Sequence, residues 1–391
     1  MSETPARPYI GGQAVIEGVM MRSPGSFSVV CRKRSGELVV REKPMPPPSG
    51  GPRAWPLVRG ITSVVESLRL GSRALRWSAE IYEADFPEDE GPADAGKKGS
   101  LTDAAKKMSS AIALSIASLA TKADGGDVSS GDGDKKGGGL GMFVSIAFAL
   151  GLFVLLPQLA AEGVNKAFTL NLEVTSPGFQ AITGAAKLLI VVGYLLGIRQ
   201  IADVRRVFQY HGAEHKTITT YEAGEELIVD NARPKTTAHP RCGTTFLVMV
   251  ALVSIVVFSV AGAFLPKLEG PRALQSTVFF LLKLPFLPVV AALTFELQRF
   301  FARYCTTGPL RALLWPGFLV QKITTAEPDD AQLEVALASL RATLWREQAV
   351  RAPVREDRVF ESYPALMADA FFATNGNAPL SASTAPSPEY T

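Results

Sequence analysis

Four long apolar runs dominate this chain: about Leu140 to Ala160, Ala181 to Ile198, Gly243 to Leu265 and Ser276 to Leu297. Each comes close to the roughly 20 residues that an α-helix needs to cross the hydrocarbon core of a bilayer. In that medium every backbone amide has to be satisfied within its own segment or in a closed barrel, so runs of this length commit the polypeptide to membrane helices. The first and third runs are nearly free of charge. The second carries Lys187, and the fourth carries Lys283, Pro285, Pro288 and Glu296, which predicts kinked, tilted or bundle-lining helices. The fold class read from this pattern is mainly α, a polytopic α-helical membrane protein with about four transmembrane helices. Composition agrees, since 47% of the 391 residues are hydrophobic and 20% are charged, against about 25% charged in soluble domains.

Basic residues give the orientation. The connection from Arg199 to Cys242 holds Arg199, Arg205, Arg206, Lys216, Arg233, Lys235 and Arg241. Residues 161–180 hold only Lys166, and residues 266–275 only Lys267 and Arg272. The rule that cationic loops stay inside places the basic loop in the cytoplasm, and an even number of spans puts both termini there too. Met1 to Gln13 has no basic stretch followed by an apolar run, so insertion is expected to be directed by an internal segment. A net charge of +3 is too small for a chain that grips phosphates, and no nucleic-acid partner is expected. The expected partner is the lipid bilayer; the sequence names no protein partner. Cys31, Cys242 and Cys305 are too few and too scattered for a disulfide framework and read as free thiols.

Outside the spans the chain divides further. Residues 1–83 read as a small N-terminal cytoplasmic β unit plus an amphipathic helix. The β unit contains the glycine-punctuated stretch Gly11 to Arg22 and a hairpin of Phe27 to Lys33 and Glu37 to Glu42 across Ser35-Gly36. The helix places Leu57, Ile61, Val64, Val65, Leu68 and Leu75 at helical spacing among Arg59, Arg69, Arg73 and Arg76, so it either lies on the anionic inner leaflet or packs on the β unit. Residues 84–139 form a flexible Gly/Asp-rich linker with a short interfacial helix between Leu101 and Thr121. Residues 140–325 are the membrane domain, with the histidine and cysteine loop at 199–242. Residues 326–374 read as a cytoplasmic helical segment that starts at Asp329-Asp330 and carries one stripe of Leu333, Leu337, Leu340 and Leu344. Residues 375–391 read as a disordered tail.

All three histidines, His211, His215 and His239, fall in the basic loop, with Cys242 close behind the last. Tyr210-His211-Gly212-Ala213-Glu214-His215-Lys216 contains H-x-x-E-H, the order in which two helical histidines bind zinc and a glutamate serves as base. If the second span continues as a helix to this point, His211 and His215 lie about 40° apart around the axis and about 6 Å along it, facing one point. Glu214 is then close enough to hold a metal-bound water, while Glu222 joins only if the helix bends. His239-Pro240-Arg241-Cys242-Gly243 supplies the second half, with Cys242 at a helix N-terminus. Two histidines plus an H-x-x-C pair make a tetrahedral N/S zinc set. That set is either catalytic, with Glu214 as base, or a closed structural site; other readings make Cys242 a nucleophile with His239 as base, or the cluster a headgroup or partner site. Zinc suits mixed imidazole and thiolate ligands better than magnesium or calcium.

Other residues read more plainly. Glu17 is either a buried acid facing the site or an exposed strand residue. Lys283 and Glu296 either mark an ion path or snorkel to the interface. Cys305 reads as a small buried residue, and Val320 to Pro328 as a helix end and capped restart.

Four segments, Gly11 to Arg22, Tyr210 to Lys216, His239 to Thr244 and Ile323 to Pro328, occur in this order and together resemble the YqhQ family of bacterial membrane proteins. The family is named for a domain of unknown function and labelled a predicted metal-dependent enzyme. The resemblance covers nearly the whole chain apart from the linkers and tail. Ala326 stands where the family pattern is expected to carry arginine, and the insertion from Asp85 to Gly139 is long for the family. The resemblance implies a multi-pass protein of the bacterial inner membrane. Taken with the histidine cluster, the leading expectation is a zinc-dependent hydrolase at the cytoplasmic face. The alternative is a non-enzymatic membrane scaffold with a structural zinc site.

Overall fold

The structure, a computed structural model, describes residues 8–45, 51, 55–85, 147–264, 270–305, 309–349 and 354–369. The expected interfacial helix at Leu101 to Thr121 and the expected disordered tail lie outside the described residues.

Near the N-terminus four strands run antiparallel in sequence order: β1 Gly11–Val15, β2 Gly18–Arg22, β3 Ser26–Arg32 and β4 Leu38–Pro44. Gly18 lets β2 approach β3, since a Cβ there would lie 2.4 Å from the Val30 carbonyl oxygen. Gly36 turns the β3–β4 hairpin with φ 93°, a region where only glycine is unstrained. The segment expected to be helical after residue 326 also supplies a fifth strand, β5 Arg358–Phe360, which pairs Leu38 with Phe360 and Val40 with Arg358.

Both faces of this sheet are covered. Helix α1, Val58–Ala84, lays Leu70, Ala74 and Trp77 on Val15, Met20, Val29, Cys31 and Val39. The opposite face, with Val19, Met21, Val30, Leu38 and Val40, packs on Leu333, Leu337 and Leu340 of a helix near the C-terminus, residues 330–348. Strands buried on two faces need continuous apolar runs, which is why Val29-Val30-Cys31 and Leu38-Val39-Val40 do not alternate.

Among the described residues four helices are long and apolar enough to cross a membrane: α2 Ala147–Ala167, α3 Pro177–Ile198, and then α6 Gly243–Phe264 and a bent fourth span, Leu274–Phe301. Between α3 and α6 lie α4 Ala202–Ala223 and the short α5 Val229–Ala232. The fourth span is α7 Arg272–Lys283 and α8 Leu287–Tyr304, joined by a 3-10 turn at Leu284–Phe286. Pro285 and Pro288 remove the amide hydrogens that an unbroken α-helix would need there, as the sequence predicts. Lys283 does not snorkel: it is buried and donates to Gln158 Oε1 at 2.9 Å. Glu296 is paired: Arg59 of α1 grips both of its oxygens at 2.8 and 2.7 Å. So α1 packs on the β unit with its C-terminal half and on α8 with its N-terminal half, leaving Leu57, Ile61, Val65 and Leu68 exposed. Cys305 is buried, as expected.

After α9 Trp315–Thr324, the helix α10 Asp330–Gln348 starts at a capping box in which Asp329 accepts from Gln332 N at 2.8 Å and donates its own amide to Gln332 Oε1 at 3.0 Å. The short α11 Tyr363–Ala368 follows β5. The expected single leucine stripe is too narrow a description of α10. It lies between the sheet and α4, and Val335 to Leu344 is buried all round. Ser28 Oγ donates to the Ser339 carbonyl at 2.6 Å, and Ser26 Oγ to the Thr343 carbonyl at 2.9 Å, which ties helix to sheet through small polar side chains.

Candidate metal centre

The second span does not continue into the histidine motif. α3 stops at Ile198 and a turn at Arg199 to Ile201 separates it from α4. His211 and His215 keep the expected four-residue spacing on α4, and their ring centroids lie 4.5 Å apart. Each ring is fixed by a backbone carbonyl: His211 Nδ1 lies 2.8 Å from the Thr324 oxygen and His215 Nδ1 2.5 Å from the Thr237 oxygen. A carbonyl only accepts, so both rings carry a proton on Nδ1, which leaves Nε2 as the atom able to meet a cation. His211 Nε2 points at Cys242 Sγ, 3.2 Å away. His215 Nε2 is buried and, among the described residues, has no hydrogen-bond partner.

Cys242 directly precedes α6, and its sulfur faces the Thr244 amide at 3.4 Å and the Thr244 hydroxyl at 3.1 Å. Donors at a helix start favour negative charge on a sulfur. One ligand atom from each of His211, His215 and Cys242 lies within 4.8 Å of the other two. This donor set has the chemistry of an N/S metal site: two imidazoles oriented by carbonyls, one thiol, and a buried ring nitrogen that a cation would satisfy.

His239 stands beside this trio and not in it. Its ring centroid is 5.7 Å from that of His215, its Nδ1 receives the Arg241 amide at 3.4 Å, and its Nε2 faces Glu222 Oε2 at 3.4 Å. That geometry leaves His239 with no contact to Cys242 of the kind a base needs for a nucleophile. Glu222, expected to join only through a bent helix, reaches the site's edge and also pairs with Arg241. Burial lowers the proton affinity of both His215 and His239, although Glu214 opposes it at His239, so both rings are neutral at pH 7.

Glu214 is buried on the side of α4 that meets β1. A Cβ on Gly12 would lie 2.8 Å from its Oε1, so the glycine makes room for this carboxylate. Burial raises its proton affinity, a rise that His211 and His239 oppose when they are protonated. Glu17 is neither of its expected forms. It sits in the β1–β2 turn at φ 49°, pairs with Arg206 and accepts from the Tyr210 hydroxyl at 3.2 Å, which clamps the β unit to α4.

The part that sequence reasoning missed lies on α9. Gln321 accepts the His239 amide at 2.8 Å and donates to the His239 carbonyl at 2.9 Å and to Thr245 Oγ1 at 3.0 Å. Its amide group in the apolar run Phe318-Leu319-Val320 is the signal that marks it. The segment read only as a helix end also supplies the Thr324 carbonyl, and Glu327 pairs with the buried Lys216.

A family described as "Protein of unknown function (DUF1385)" matches residues 55–346. The chain belongs to the DUF1385 family. The DUF1385 match takes in α1 to nearly the end of α10, and with them His211, Glu214, His215, His239, Cys242 and Gln321. The chain is also 28% identical over 346 residues to "Uncharacterized protein YqhQ" of Bacillus subtilis (strain 168), which covers 88% of this chain and 95% of that relative. No solved structure matches. The description of DUF1385 names no activity, so the chemistry rests on the geometry above.

Proposed function

We infer that the chain is a zinc-dependent hydrolase at the cytoplasmic face of the bacterial inner membrane, with His211, His215 and Cys242 as ligands and His239 as the nearest candidate for a fourth. One observation carries this reading: two imidazoles whose Nδ1 atoms are held by carbonyls and one thiol bring a ligand atom each within 4.8 Å of one another, with His211 Nε2 facing the sulfur. Zinc, when bound, supplies Lewis acidity and makes water a nucleophile at neutral pH. Glu214 takes the proton of the attacking water on a carboxylate oxygen, and its raised proton affinity suits it to pass that proton to an amide or ester leaving group.

Metal content of the purified full chain tests the reading first, and about one zinc per chain is expected. His211→Ala or His215→Ala should abolish it. Glu214→Gln should keep zinc and lose turnover across a panel of chromogenic esters and fluorogenic peptides.

A scaffold with a structural zinc is the second reading, and burial favours it: His215 is 1% exposed, His239 and Glu214 5%, and Cys242 7%. In that case Glu214→Gln leaves both zinc and function unchanged, while Cys242→Ser loosens the metal. Wild-type protein without zinc after chelator-free purification overturns both readings.

A further inference from the structure

We propose that the membrane domain holds a binding site for one halide-sized anion between Lys187 and Lys283. Every span contributes a polar side chain to this place: Gln158 from α2, Thr183 and Lys187 from α3, Ser254 from α6 and Lys283 from the bent fourth span. Lys187 Nζ donates to Ser254 Oγ at 3.0 Å, and Lys283 Nζ donates to Gln158 Oε1 at 2.9 Å. Both amines also look onto the Phe258 ring, 5.8 and 5.3 Å from its centroid, and both line the same cavity.

Among the described residues no carboxylate faces either amine; their partners are a hydroxyl, an amide oxygen and aromatic rings. Two amines among apolar helices without a counter-charge keep their protons only against mutual repulsion and lost hydration. An anion between them removes both penalties, and Ser254, whose own proton goes to the Ala251 carbonyl, positions Lys187 by accepting from its amine. The void has room for about one water-sized body, so a monatomic anion enters in the place of a water as the lining side chains give way, whereas sulfate or a phosphate ester is too large. Lys187 and Ser254 lie near the middle of their helices, away from the depth of lipid headgroups.

The test is radiolabelled chloride binding to the full chain in lipid nanodiscs, with unlabelled competitors. About one chloride per chain is expected, displaced by bromide and not by sulfate or gluconate. Lys283→Met and Lys187→Met should each lower retention at least tenfold. Ser254→Ala, which keeps both charges, should weaken it severalfold. No saturable chloride binding by the wild type overturns the proposal whatever the variants do, and so does retention unchanged in a folded Lys283→Met protein. Displacement by sulfate as readily as by bromide also overturns it, because the site would then be an open basic surface.

Discussion

Gln321 meets both backbone groups of His239, so its replacement leaves a buried amide and carbonyl unsatisfied. Gln321→Ala is expected to cost about 1–3 kcal/mol, read as a lower Tm, and to speed zinc loss to a chelator; an unchanged zinc off-rate would show that the loop is held elsewhere. Gly212 is a sharper case. A Cβ there would lie 2.1 Å from the Ala326 carbonyl oxygen, which is backbone and cannot yield, whereas a Cβ on Gly197 meets nothing. Gly212→Ala should therefore lose folded protein, measured as detergent-extracted monomer, and Gly197→Ala should not. The His211, His215 and Cys242 trio was legible because its information is local: helical spacing and a cysteine before a span. Gln321, Thr237 and Thr324 were not, since their roles depend on where α9 and the loop before α6 settle against α4.

At the level of elements, α10 is the strongest constraint, held between a sheet and a helix and buried throughout its middle. Ala338 has no exposed surface, and Ala338→Leu is expected to cost about 1–3 kcal/mol by overpacking. Asp329→Ala removes the cap for about 1 kcal/mol, so the interior substitution should lower Tm more than the cap change; the reverse order would place α10 on the surface. The cap was readable from Asp329 and Gln332. Burial on every side was not, because the leucines mark one face only, and Ala336, Ser339, Ala342 and Thr343 reveal nothing until the sheet and α4 press on them. The break after Ile198 was equally hidden, as Arg199-Gln200-Ile201 contains neither glycine nor proline. The bends of the fourth span were readable, since proline acts through its own missing donor.

For the whole molecule, the sheet, α4 and α10 form one assembly, against which segments from both described ends of the chain pack. With positive charge retained inside, a cysteine placed at residue 170 should react with a membrane-impermeant maleimide in intact cells and one at residue 225 only after lysis; the opposite pattern would invert the topology. The assembly also imposes an order on biosynthesis. β1 to β4 leave the ribosome before any span, yet α10 and β5, which cover one face and one edge of that sheet, are made after the last span has been inserted. Until then Val30 and Leu38 lack the surface they pack against, and contacts across more than 300 residues are slow to form. A chain stalled at residue 325 should thus be cut by protease within its sheet while the full chain resists. The C-terminal segment thereby makes closure of the sheet conditional on a finished chain: a copy that ends before it keeps an apolar face and a strand edge uncovered.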